Sequence, residues 1–263
     1  MERIPLGIIG IGMVGSQLMR YFLDERKYQR GIDLFLFDID ASKGFTDNMS
    51  TASVVFMCVP TPRQSSTGAC DVSILEQAVR VLREPKIIVL KSTVPPGTTE
   101  RLQKNFPSHT FLFSPEFLTE SRAWEDTLRP DRQIVAHTAS SLQHASMVLR
   151  LLPKAFFSSP GTLGTYTFTR VNATEAELGK YAGNTFGALK VTFANVLADF
   201  CALLEAEYKK NGQEIPVEYN NVRMILGHDH RIGDTWLDVT HGLYRGFGGY
   251  CFPKDVSALI ARG

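Results

Sequence analysis

The chain has 263 residues, 44% hydrophobic and 21% charged, which is an ordinary globular composition with room for one large domain or two smaller ones. Its 28 basic and 27 acidic side chains leave a formal charge of +1, which offers no electrostatic basis for a nucleic-acid or membrane-surface role. No apolar run reaches bilayer-spanning length, and no signal-peptide pattern opens the chain. Cys58, Cys70, Cys201 and Cys251 are scattered without CxxC pairs. A cytoplasmic protein without disulfides, structural metal or membrane partner is expected; the HxH pair at His228 and His230 has no second ligand cluster and reads as a solvated loop.

In chain order, Pro5–Gly10 is the first strand-like run and Gly12–Leu23 the first helix. Between them Gly10-Ile11-Gly12-Met13-Val14-Gly15 has the spacing of a dinucleotide loop in the strand–turn–helix context such a loop needs. Gly10 would permit the tight turn, Gly12 the approach of a pyrophosphate, and Gly15 close helix–strand packing. The helix N-terminus would supply amide donors to the anion. The next run, Leu34–Asp38, ends on an acid suited to a ribose diol, which favours NAD over NADP; Lys43 nearby weakens that preference somewhat. Further runs follow at Val54–Val59, Ile87–Lys91, Phe111–Ser114 and Gln133–Ala136, with Asp71 as N-cap of a helix over Val72–Leu82. Continuous apolarity fits strands buried on both faces, so a doubly wound, parallel α/β domain is expected over residues 1–165, ending after the Pro160–Gly164 breaker.

Residues 166–263 read as a helical domain. From Thr174 to Lys209, a helix of roughly ten turns is expected, on which Leu178, Ala182, Phe186, Leu189, Phe193, Val196, Phe200 and Leu203 repeat at spacings of three and four as one stripe. A helix of that length predicts a homodimer interface, with an intrachain central helix as the alternative. A shorter helix is expected over Val217–Leu226. Lys180 and Asn184, at i and i+4, share a face distinct from the stripe. Near the end, Gly248-Gly249-Tyr250-Cys251-Phe252-Pro253-Lys254-Asp255 puts a thiol on a glycine-permitted loop, with an ammonium and a carboxylate just downstream. A buried, inert cysteine is the competing reading.

Several segments together resemble one family. GIGMVG, VPTP after the third run, KSTVPPGTT (Lys91–Thr99), SPEFLTES (Ser114–Ser121), KYAGNTFGALK (Lys180–Lys190), DHRIG (Asp229–Gly233) and GFGGYCFPKD (Gly246–Asp255) occur in family order. The series is similar to the UDP-glucose/GDP-mannose dehydrogenase family, and its cysteine loop and SPEFL segment resemble the UDP-glucose 6-dehydrogenase branch. The resemblance implies a Rossmann domain, then a central helical domain, and oxidation of a sugar primary alcohol to a carboxylate with two equivalents of NAD. It also implies a third, nucleotide-closing domain after Asp255, which this chain, ending at Gly263, is expected to lack.

Carried over by motif, Cys251 would be the nucleophile that traps an aldehyde as thiohemiacetal and then thioester. Lys180 and Asn184 would stabilise an oxyanion, Asp255 would join Lys180 in proton transfer, and Glu116, through a water held with Thr93, would be the base for hydrolysis. The first base stays open among Lys180, Asp255 and a bound water. Substrate contacts would come from Glu116, Phe117, Leu118, Thr119, Glu120, Lys180, Asn184, Arg231, Phe247 and Gly248. Cofactor contacts would come from Gly10, Gly12, Met13, Val14, Gly15, Asp38, Lys43, Thr61, Thr93, Glu120 and Lys254. GDP-mannose is a second substrate candidate. A non-catalytic NAD-binding subunit and a one-step 3-hydroxyacid-type dehydrogenase are the competing functions.

Overall fold

Every buried apolar run but the last finds its strand in a computed structural model that describes residues 3–155, 157–161, 170–240 and 245–262. The strands are β1 (Leu6–Ile9), β2 (Leu34–Phe37), β3 (Val54–Met57), β4 (Ile87–Leu90) and β5 (Thr110–Phe113). They pair in parallel in the order β2-β1-β3-β4-β5. Side-chain alternation explains why the runs are apolar throughout. Ile9, Val55, Met57, Ile88, Leu90, Phe111 and Phe113 enter one core, with Leu75 and Val79 of α2 (Ser73–Arg80) and Leu102 of α3 (Thr98–Asn105). Leu6, Ile8, Leu36, Val54, Phe56, Val89 and Leu112 enter the other, with Leu18 of α1 (Met13–Arg20) and Val148 of α5 (Leu142–Leu151). This is the expected doubly wound Rossmann architecture.

Three details depart from expectation. The first helix continues past Arg20 as a π-helical turn, Tyr21–Glu25, which widens the helix and buries Tyr21 and Phe22. Asp71 caps α2 one residue later than expected, accepting from Ser73 N at 2.8 Å, while Val72 holds the cap position without a side-chain bond. The run Gln133–Ala136 is not one strand of a parallel sheet. Its residues divide between β6 (Arg132–Ile134), paired in parallel with β8 (Phe157–Ser159), and β7 (Ala136–His137), antiparallel to β5. Successive backbone groups point to opposite strand edges, so a chain this short can exchange partners between neighbouring residues, and Val135 N donates to Ser159 O at 2.8 Å just before the switch. A short helix, α4 (Ala123–Leu128), lies between β5 and β6 in the chain.

The long helix α6 runs Ala173–Lys210, within a residue of expectation at each end. The chain folds as two compact units, Met1–Lys180 and Tyr181–Gly263, so the division falls inside α6. The boundary expected near residue 165 lies outside the described residues. In the second unit α7 spans Tyr219–Gly227, two residues later at its start than expected. The expected cysteine loop is instead the first residue of a helix, α8 (Cys251–Arg262). Pro253 near its start fits the first turn, where a missing N–H costs nothing. A Cβ on Gly187 would come within 2.6 Å of Phe252, so this glycine permits α6 and α8 to meet, and Trp236 closes the contact edge-on to Phe252 at 5.7 Å.

The apolar stripe of α6 is exposed along its length, from Leu178 through Phe186, Leu189, Phe193, Val196 and Phe200 to Leu203. An 18-residue window of this helix has a mean hydropathy of 1.5 and is 28% buried. The expectation that no segment is long and apolar enough to cross a bilayer is therefore corrected on length and composition. Ala188, Ala194 and Cys201 are buried, so the exposed apolar positions form a stripe along the helix.

Candidate active site

The glycine loop is built as a cradle. Gly10 holds φ +90°, and a Cβ there would come within 2.8 Å of the Cys58 backbone. A Cβ on Gly15 would strike the Gly10 carbonyl oxygen at 1.9 Å, whereas nothing lies within 4 Å of that position on Gly12. The turn is thus packed shut on its inner side and open at Gly12, where Met13 and Val14 begin α1. Asp38 is buried behind it. Its carboxylate accepts from Ile11 N at 2.7 Å, Asp40 N at 3.0 Å and Lys43 Nζ at 2.9 Å. Burial works against its charge, but these partners prevail and hold the carboxyl below its ordinary range. Of about four acceptor positions on a carboxylate one stays available, enough for one hydroxyl of a ribose. Open glycine backbone, helix N-terminus and acceptor at the end of β2 fit a dinucleotide.

The loops after β3 and β4 are tied together, Thr61 donating to the Thr93 carbonyl at 2.7 Å. After β5, Glu116 turns its Oε1 towards Lys180 Nζ at 3.6 Å; the two side chains are 12% and 8% exposed. Its other oxygen accepts from Leu118 N at 2.7 Å, and Thr119 N donates to Asp126 at 2.8 Å. The amides of Leu118 and Thr119 therefore already have acceptors, which leaves the side chains and carbonyls of these two residues for binding. Phe117 has two cations close to its ring, the Arg132 guanidinium 3.7 Å and the Lys180 ammonium 5.2 Å from its centre. Glu116, Phe117, Leu118 and Thr119 line a cleft of about 580 Å3 together with Val14, Gln17 and Lys91. Glu120 opens a short 3-10 turn and is exposed.

In the second unit Asp255 is 1% exposed and is held from two sides. Asn184 donates to one carboxylate oxygen and the buried Lys254 ammonium to the other. Lys254 also lies 5.9 Å from the Tyr181 ring centre. A buried carboxylate needs such partners. Cys251, one helical turn before Asp255, is exposed at the amide end of α8, where an anionic sulfur is favoured. The thiol is therefore not buried, as the competing reading required. Arg231 is exposed and engages Asp229, and Phe247 and Gly248 lie in the segment preceding α8.

Two functional-looking residues are not marked as such by the sequence. Lys91 closes a strand-like run and opens the KSTVPPGTT segment, but no role is read there for its side chain. Glu177, fully buried, accepts from Gly97 N, Thr99 N and Thr99 Oγ1 at 2.6–2.8 Å and so caps α3. Nothing local marks it, because its partners lie some eighty positions away in the chain.

Two family descriptions match the chain: the NAD binding domain of the UDP-glucose/GDP-mannose dehydrogenase family over residues 33–152, and the central domain of the same family over residues 174–263. The chain is 35% identical to the UDP-glucose 6-dehydrogenase of Pseudomonas aeruginosa, covering 89% of this chain and 51% of that protein. With the UDP-glucose 6-dehydrogenase of Rhizobium meliloti the identity is 32%, over 82% and 48%. The chain thus spans about half the length of these curated relatives. Among solved structures, a UDP-glucose dehydrogenase from Pyrobaculum islandicum superposes on the whole chain and 64% of its own, with TM-score 0.75 and 26% identity. A GDP-mannose dehydrogenase from Pseudomonas aeruginosa shares the fold at TM-score 0.67 and 22% identity, over 98% and 64%. Two consecutive domains of one family, matched in order on a Rossmann sheet with its glycine cradle intact, place this chain in the UDP-glucose/GDP-mannose dehydrogenase family, with that family's NAD-binding domain at its N-terminal side.

Proposed function

We propose that this chain carries the cofactor and reaction centres of an NAD-dependent nucleotide-sugar dehydrogenase that oxidises the C6 alcohol of UDP-glucose to a carboxylate. The observation that supports this most is in the second unit: an exposed Cys251 starting α8, with Asp255 one turn later anchored by Asn184 and Lys254. A single-step alcohol dehydrogenase has no use for that sulfur. A non-catalytic binding subunit has no use for a buried carboxylate held by two partners beside it. UDP-glucose is preferred to GDP-mannose because the relatives at 32–35% identity are UDP-glucose 6-dehydrogenases.

Gly10, Gly12 and Gly15, the start of α1, Asp38 and Lys43 would hold NAD, with Thr61, Thr93, Glu120 and Lys254 as further contacts. Bound NAD supplies the hydride acceptor, used twice per sugar. The sulfur of Cys251 adds to the aldehyde carbon, and water later displaces it from the acyl carbon, restoring the thiol and releasing the carboxylate. Lys180 and Asn184 carry the charge that builds on the oxygen in both events. Asp255 takes part in the proton transfers, and Glu116 with Thr93 orients the hydrolytic water. Phe117, Leu118, Thr119, Arg231, Phe247 and Gly248 contribute to substrate binding. The exposed stripe of α6 pairs with its copy in a homodimer, and the protein works in the cytoplasm.

The stoichiometry tests this reading. Two NADH per UDP-glucose are expected, and Cys251→Ser should reduce turnover by roughly 1000-fold or more while leaving NAD binding intact. Retained activity in that variant would point to a one-step dehydrogenase; NAD binding without turnover on any nucleotide sugar would point to a binding subunit.

A further inference from the structure

The cleft of the first unit has a floor that the proposed chemistry leaves unused. Lys91 directly follows β4, is 7% exposed, and lines the cleft with Glu116. Its ammonium donates to Ser114 Oγ at 3.3 Å, and Ser114, directly after β5, is fully buried. The ionisable groups facing it are Cys58 after β3, Glu116 after β5 and Lys180 on α6. Burial pushes the Cys58 thiol up to about 12, against the pull of Lys91, so that neighbour is neutral. Two buried ammonium groups, Lys91 and Lys180, thus face one carboxylate, Glu116, and desolvation of a lysine without a full counter-charge is costly. Burial accordingly brings Lys91 down to about 8; Glu116 acts to raise it and Lys180 to lower it.

We propose that Lys91 is a positioning residue of the reaction centre: held by Ser114, its ammonium is the second cation on Glu116 and decides how that carboxylate is shared between Lys180 and the hydrolytic water. The inference rests on the dehydrogenase reading for its kinetic consequence, but not for its electrostatic one. With Lys91 charged, Glu116 is drawn between two cations and presents its free electron pairs to the cleft. Once Lys91 loses its proton, the repulsion on Lys180 is relieved and Glu116 becomes that lysine's alone, so hydrolysis should slow on the alkaline side.

A carbon-13 NMR titration of lysine-labelled protein tests the electrostatics without any turnover. One lysine should titrate near 8 rather than at the ordinary 10.5, and its signal should vanish in Lys91→Met. Glu116→Gln should move that midpoint down and Lys180→Met should move it up. A Lys91 midpoint in the ordinary range, or one that ignores both substitutions, overturns the proposal even if the protein turns over no sugar. For the active protein, Lys91→Met should lower kcat about tenfold with little change in the KM for NAD, and should abolish the alkaline limb of the profile. An unchanged kcat and pH profile overturns the proposal while leaving the dehydrogenase reading standing. Should Lys91→Met not fold, Ser114→Ala removes only the hydroxyl that holds the ammonium and must shift the same limb; an unmoved limb there is equally decisive.

Discussion

At the scale of single residues, the glycine loop shows how little space decides binding. Because the Gly15 Cβ position is 1.9 Å from a backbone oxygen rather than from a yielding side chain, Gly15→Ala must displace the loop from the start of α1. The cost should be about 2–3 kcal/mol, a loss on the order of 100-fold in NAD affinity by calorimetry, with helical content unchanged. Unaltered affinity would mean that the loop does not carry the pyrophosphate. This loop is legible in the sequence because its requirements are local: a turn, an approach and a packing contact, each within six residues. Lys91 and Glu177 are not, because a lysine or glutamate shows its burial only once distant strand ends and helix termini are assembled around it. Cys251 reads from the sequence as a candidate on a loop whereas it begins α8, since the two glycines before it mark the turn that ends where the helix starts.

At the scale of elements, five strands can be read directly, since burial on both faces leaves no polar position to confuse the pattern. The sixth run fails because so short an apolar stretch carries no information about which sheet edge it joins. The interplay of α3 and α6 is wholly invisible. Glu177 places a carboxylate at the amide end of α3, and burial raises its pKa above the usual carboxylate value, opposed by Thr99 and the amides of Gly97 and Thr98. Because the folded value exceeds the unfolded one of 4.5, the stability tied to this group is fully present below that pH and is lost as pH rises through the folded value. Compared with Glu177→Gln, which keeps an acceptor but does not titrate, the native protein should therefore lose ground over the pH range above 4.5 in urea unfolding. A constant difference between the two proteins across that window would contradict the assignment.

At the scale of the whole molecule, the stripe of α6 leaves seven large apolar side chains, Leu178, Phe186, Leu189, Phe193, Val196, Phe200 and Leu203, exposed. A self-complementary helix face of this length suits two-fold pairing, in which the same patch serves both copies. Leu189→Asp combined with Phe193→Asp, at positions 62% and 53% exposed, should convert a species of twice the chain mass into one of single mass by light scattering. Removing exposed apolar groups should leave the thermal midpoint of the separated chains little changed. A native protein that already runs at single mass would reject pairing through this face. The same helix has another consequence. Since the division between the two compact units falls after Lys180, within an unbroken run of backbone hydrogen bonds, cutting the polypeptide there would orphan up to four carbonyls on one fragment and four amides on the other. Domain shuffling, whether by natural recombination or by an engineer seeking interchangeable halves, must therefore place its seam upstream of this rod or beyond it.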